Sequence, residues 1–372
     1  MMKKLLIIVC AVFLNAQQLN FELPNDINTT SAETNKTAVI AESNKTNVSD
    51  TNITAETNTS AEINETNNTA IVDVEDFNDT YVSFNSKASF TVVINKQRFF
   101  KFIPSLMNAL NAYYAQKGID YNITLYNIDT NLSKIKSKDI IYFTTDVNQL
   151  SKLKDYNKTF YLPLINKNET NITAKNIYFG SIDFKDQIQK LTSFIDDKTD
   201  VIADHTLLSD KLLNYEKNLT YIHTVYQFPN IYYQDLNNSF VIFNTSAGKT
   251  AQVLSTITQK EIQTKLTLTP QLGYNPLMIV LTQPADIQKL LIANSIIHPP
   301  LIINEDASLL NSDIRYNWMN YAACIFANKI YNKQNSEDQF YMNDFNIYIF
   351  NNQINYKTKL YRIIDGAFKQ VE

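Results

Sequence analysis

Residues 159–195 read TFYLPLINKNETNITAKNIYFGSIDFKDQIQKLTSFI. Two apolar runs, 159–165 and 177–182, are rich in aromatic and β-branched residues, and a polar loop separates them. Such runs read as strands buried in a sheet. From Lys185 the period changes, and Ile188, Leu191 and Ile195 recur at the three- and four-residue spacing of one helix face. Strand, loop, strand and helix in this order belong to an α/β architecture built on parallel sheets.

The same alternation extends in both directions. Upstream, ASFTVVIN at 88–95 reads as a buried strand, and 98–117 carries Phe99, Phe102, Ile103, Leu106, Leu110 and Tyr113 near helical spacing before Gly118. Strands are expected at 123–128 and 139–145, with a helical stretch at 147–153. Downstream, strands are expected at 200–203, 220–226, 240–243 and 265–269, with helices at 207–215, 249–258 and 285–293 around the apolar run 277–281. A long helix at 314–331 precedes a β region at 345–350 and 359–364, with a turn at Asp365-Gly366. The fold class expected is therefore α/β with two lobes. The first covers about 87–196, the second about 197–300, and a C-terminal helix and β region occupies 301–372.

The N-terminal 86 residues have a different texture. Lys3 and Lys4, an apolar run from Leu5 to Leu14 and the small residue Ala16 have the build of a cleaved signal peptide over 1–16, so export to the periplasm is expected. The bulky Val9 before Cys10 argues against lipid anchoring at that cysteine. No later apolar run is long enough to span a bilayer, so no membrane span is expected. Residues 17–86 consist mainly of Asn, Thr, Ser, Glu and Ala, and twelve acidic residues there face only Lys36 and Lys45. Too little apolar surface is available to offset the entropy of ordering, so this segment is expected to be a disordered linker.

A five-residue pattern, Asp/Glu-x-Asn-x-Ser/Thr, runs through both regions. It centres on Asn28, Asn35, Asn44, Asn52, Asn58, Asn64, Asn67 and Asn78 in the linker, and on Asn122, Asn131, Asn157, Asn171, Asn218 and Asn237 in the body. Asn-x-Ser/Thr marks an N-glycosylation acceptor, and the preceding acid resembles the longer acceptor of bacterial systems. An oligosaccharyltransferase is thus an expected modifying partner. The six body sites fall at element boundaries or loops of the reading above, where an enzyme can reach them.

The element order resembles the type I periplasmic solute-binding fold, as in branched-chain amino-acid receptors and the binding-protein-like domain of a lipoprotein that activates peptidoglycan synthases. The residues that carry the likeness are Pro163-Leu164-Ile165 at a strand end, Asn176 to Gly180, the helix containing Gln187, and the ending Tyr361 to Phe368. The resemblance implies a cleft between the lobes, lined by strand ends. Candidate ligand-binding residues there are Asn95, Arg98, Asn166 and Asp183, although each residue type also suits an ordinary cap or surface position. The chain departs from those receptors in its first junction, Ile94 to Phe99, which lacks glycine, and in its second, Ile165 to Glu169, where a Ser/Thr-rich loop is usual.

Other chemistry is set aside by spacing. His205, His223 and His298 have no second ligand at metal-binding separation, so no metal or cofactor is expected. Asp204-His205 lacks a nucleophile signature, and Phe243 stands where a phosphate-binding loop ending in Gly248-Lys249-Thr250 needs glycine. Lys and Arg do not cluster, which disfavours nucleic acid. Cys324 lies in an apolar stretch and reads as a buried thiol. The leading expectation is a non-enzymatic, N-glycosylated envelope scaffold or interaction module with an envelope protein partner. The alternative is a solute-binding receptor with a small-molecule ligand, serving a transporter or sensor.

Overall fold

The structure is a computed structural model that describes residues 88–118, 120–217, 219, 221–297, 299–335 and 344–371. The expected signal peptide, the linker segment with its eight acceptor patterns, Asn218 and His298 lie outside the described residues.

Two seven-stranded sheets form the body. The first contains β1 (Ala88–Ile94), β2 (Tyr121–Asn127), β3 (Asp139–Phe143), β4 (Thr159–Leu162) and β5 (Ile177–Phe179), arranged 2-1-3-4-5 and all parallel. The second contains β6 (Thr199–Ala203), β7 (Ile222–Gln227), β8 (Phe240–Asn244), β9 (Leu266–Thr269) and β10 (Leu290–Asn294), and repeats that order as 7-6-8-9-10. Each sheet ends in a C-terminal hairpin. β11 (Ile349–Phe350) and β12 (Gln353–Ile354) extend the first through β5, and β13 (Lys359–Ile364) and β14 (Ala367–Gln370) extend the second through β10.

Burial explains the composition of the strands. β3, β6, β8 and β10 are buried at every residue and are mainly apolar, with polar residues only at their ends (Asp139, Thr199-Asp200, Asn244 and Asn294), whereas the edge strand β2 is half-buried throughout. Helices α1 (Ile103–Lys117) and α8 (Trp318–Gln334) cover one face of the first sheet, and a cluster with Leu132, Leu150 and Leu153 covers the other. On the second sheet, α5 (Ala247–Gln259) packs on one face and Leu191 and Ile195 on the opposite one. α8 is buried at every position from Trp318 to Asn328, which accounts for its apolar sequence and for the inert Cys324. Burial pushes that thiol far above its ordinary value.

Three expectations about the elements change. Residues 285–293 were expected to be helical, yet 290–294 form β10. The run Leu-Leu-Ile-Ala-Asn has no period of its own, and the place between β9 and β13 makes it a strand. The long helix starts at Trp318 because Asn317 caps it, accepting from the N–H groups of Met319 and Asn320. α7 (Leu301–Leu309) gave no sequence signal; it follows Pro299-Pro300 and lies against α1.

The lobes also exchange segments. α3 (Phe184–Thr192), which the sequence reading assigns to the first lobe, lies against β10 of the second sheet. α7 and α8 pack with α1 on the first sheet, and the two C-terminal hairpins are shared between the sheets. The chain therefore crosses from one sheet to the other three times, near residues 180–183, 295–300 and 355–358.

Candidate functional site

The crossings orient the two sheets. The chain leaves β5 at its C-terminal end to reach α3 on the second sheet, and leaves β10 at its C-terminal end to reach α7 on the first. The C-terminal ends of both parallel sets thus lie on the connecting side. Open α/β sheets bind ligands there, at the point where the strand order reverses. That point lies between β1 and β3 in the first sheet and between β6 and β8 in the second.

A buried polar network holds the crossings. Gln187 of α3 donates to Ser295 Oγ (2.7 Å) and to Gln271 Oε1 (3.2 Å), and its own Oε1 accepts from the Gln271 N–H. Gln271 Nε2 reaches Asn294 Oδ1 at 2.8 Å, and Ser295 Oγ meets Thr358 Oγ1 at 3.2 Å. Gln187 and Gln271 are the two glutamines of the described residues that are fully or almost fully buried. Each side-chain oxygen and nitrogen has a partner, so the network fixes how the crossing segments meet.

The four residues singled out from sequence occupy the connecting side but differ in what they leave free. Asn95 Oδ1 accepts from the Arg98 N–H at 2.9 Å and closes the turn after β1. Asn166 is buried; its Oδ1 accepts from the Asn168 N–H and its Nδ2 donates to Ser181 O, while Glu169 returns a bond to its backbone as a capping box. Asp183 caps α3 by accepting from the Asp186 N–H. These three spend side-chain atoms on the backbone. Arg98 does not: its Nε and Nη2 are shielded from solvent and have no hydrogen-bond partner among the described residues. Those two nitrogens share the edge of the guanidinium that receives a carboxylate side-on, with two parallel hydrogen bonds. The Phe99 ring, 5.8 Å from Arg98 Cζ, lies against the same side chain.

Residues that are not among the ligand-binding candidates read from sequence complete the surroundings. Asp204, at the end of β6, corresponds by topology to Asn95 at the end of β1. Its Oδ1 accepts from Thr206 Oγ1 (2.8 Å) and its Oδ2 pairs with Lys249 Nζ (3.0 Å). Glu169, in the loop after β4, pairs at 2.7 Å with Lys211 of α4 (Leu207–Glu216). Tyr215 on α4 has its hydroxyl held well above the ordinary range, by burial first and then by the charges of Glu169 and Asp183. The Asp204–Lys249 and Glu169–Lys211 pairs join residues far apart in sequence, so no local pattern announced them. His205 is exposed with φ of 59°, and no group of three His, Cys, Asp or Glu suited to a metal is assembled among the described residues.

Two lobes of parallel sheet in 2-1-3-4-5 order, three crossings and strand ends that meet on the connecting side define an α/β fold like that of the type I periplasmic binding proteins. No family model matches the sequence, and no curated protein matches it either. Solved structures do. A branched-chain amino-acid ABC transporter protein from Thermus thermophilus, with bound valine, superposes at a TM-score of 0.54 and 12% identity, covering 77% of this chain and 95% of its own. A solute-binding protein from R. palustris in complex with benzoate gives 0.53 at 8% identity, over 76% and 95%. LpoA from Haemophilus influenzae gives 0.51 at 9% identity, over 78% of this chain and 59% of that one. At these identities the likeness establishes the fold.

Proposed function

We propose that the protein is a solute-binding receptor whose ligand is a small carboxylate, with Arg98 as the principal anchor. The observation that carries this reading is the Nε–Nη2 edge of Arg98, shielded from solvent and without a hydrogen-bond partner among the described residues, just past the C-terminal end of β1. Arg98 is half-buried, and shielding two guanidinium nitrogens without a partner is costly; a carboxylate ligand would relieve that cost with two charge-assisted hydrogen bonds. The relatives described with bound valine and benzoate, both carboxylates, support the same class. Asn95, Asn166 and Asp183 shape the surrounding turns in this reading. The signal-like N-terminus and the fold shared with the solved binding proteins support residence in the periplasm.

Thermal-shift measurement against a panel of carboxylates and matched neutral amides tests it. A ligand at about 100 times its Kd adds roughly 2.7 kcal/mol to stability, which is a readable rise in Tm. Arg98→Ala should abolish the shift for the best carboxylate. A panel without a single stabilising compound counts against the receptor.

A second reading, an envelope scaffold with a protein partner, draws on the Glu169–Lys211 pair, which ties the first sheet's loop directly to the second lobe's helix. The likeness to LpoA supports it as well. Crosslinking of the native protein that recovers one envelope protein reproducibly, with no stabilising solute, would favour this reading.

A further inference from the structure

The fold separates the six body acceptors by how much of each pentad the native chain presents. A transferase must hold the acid, the asparagine and the hydroxyl residue of one extended segment together. In Asn122 this fails because the residue is the second of β2, paired in register with Ser89, with its Oδ1 shielded; the expected loop position is here a strand. Asn131 uses its Oδ1 to cap a 3-10 turn, accepting from the Ser133 N–H, and the intervening Leu132 is buried. At the Asn237 site the hydroxyl residue, Ser239, is fully buried and donates to Leu236 O, while Asn237 Oδ1 accepts from the Gln263 N–H. For the site at position 218 the acid is Glu216, which is fully buried.

Two sites remain. Asn171 and Thr173 are both exposed on irregular backbone, and neither side chain has a hydrogen bond among the described residues. Their acid, Glu169, is held by Lys211 and by the Asn166 N–H. A partly exposed ion pair of this kind yields at small cost. Asn157 and Asp155 are exposed in the bend before β4, but Thr159 already belongs to that strand and its Oγ1 accepts from Lys333 Nζ at 3.0 Å. Presenting Thr159 requires opening the start of a strand, whereas presenting Glu169 requires releasing one lysine and one backbone N–H of a short 3-10 turn.

We propose that Asn171 first, and Asn157 second, are the N-glycosylation acceptors of the folded body, receiving an oligosaccharide from a polyprenyl-diphosphate carrier. In the transfer the Asn171 Nδ2 forms a bond to the sugar's anomeric carbon as the bond from that carbon to the phosphate oxygen breaks. The polyprenyl diphosphate leaves with the electron pair, and the amide proton passes to solvent. This proposal is independent of what the cleft binds.

The experiment incubates the folded, full-length protein with a transferase specific for Asp/Glu-x-Asn-x-Ser/Thr and a polyprenyl-diphosphate oligosaccharide, and follows each site by glycopeptide mass spectrometry. Synthetic peptides spanning each pentad serve as the unfolded comparison. Asn171 should be modified at least about tenfold faster than Asn122, Asn131 and Asn237 in the folded chain, with the difference lost among the peptides. Lys211→Ala, which removes the stronger of the two contacts holding Glu169, should speed modification of Asn171 and leave Asn157 unchanged, and Asn171→Gln should remove the leading glycopeptide. Equal rates across the folded chain, the same ranking among peptides, or no transfer to Asn171 when its peptide is a substrate would each overturn the proposal.

Discussion

Glu216 offers the sharpest test of the packing. It ends α4, is fully buried, and receives one hydrogen bond, from Asn244 Nδ2 to its Oε2 at 2.8 Å. Its Oε1 and the Oδ1 of Asn244 are both buried without a partner. Two acceptors left bare on one acid–amide pair are what a missing proton produces, since a protonated Oε1 could donate where Asn244 Oδ1 has no donor. Burial pushes the carboxyl up from its ordinary 4.5 to about 8, against the opposing Asn244 bond. Below pH 4.5 both the folded and unfolded chains hold the proton, and the residue contributes fully to stability. Between 4.5 and 8 the unfolded chain has released it while the folded chain retains it, so stability falls as pH rises. Above 8 the loss is complete. At about 1.4 kcal/mol per pH unit the span sets a ceiling near 5 kcal/mol, and relaxation and water entry should leave a few kcal/mol. Glu216→Gln keeps the shape and stays neutral, so urea denaturation of both proteins at pH 5, 6, 7 and 8 isolates this one group. The variant should gain on the parent steadily across that range. A difference between the two that does not change with pH would refute the assignment of a buried, protonated acid.

Three further substitutions probe the framework. Gly180→Ala would drive a methyl into the Phe326 ring, with Cζ at 2.6 Å, and against Pro163 Cα at 3.2 Å; a loss of about 1–3 kcal/mol is expected in chemical denaturation. Asn317→Ala removes the cap of α8 and should cost about 1 kcal/mol, read as a lower midpoint at unchanged slope. Lys211→Ala breaks a partly exposed pair and should change stability by less than about 1 kcal/mol, which a thermal melt can bound.

The order of elements was largely legible because apolar runs and helical periods are local properties. The run at 88–95 reads as a buried strand, and β1 shows it, with Ser89 as its one exposed residue. Residues 290–294 show where legibility stops, since an apolar five-residue run becomes strand or helix according to the neighbours it meets. The site was less legible still. Asn95, Arg98, Asn166 and Asp183 looked alike as polar residues at strand ends, and three of them turn out to cap the backbone.

Sequence alone determined the α/β alternation, the signal-like start, the acidic linker composition and the fourteen acceptor patterns, because each is written in consecutive residues. Tertiary structure decided which strands are neighbours, that the helix at Phe184 serves the second sheet, and that Arg98 keeps a bare edge. It also decided that Glu216 is buried and Asn171 exposed, although both stand in the same five-residue pattern. Burial and hydrogen-bond satisfaction depend on residues distant along the chain, and only the folded arrangement brings those residues together.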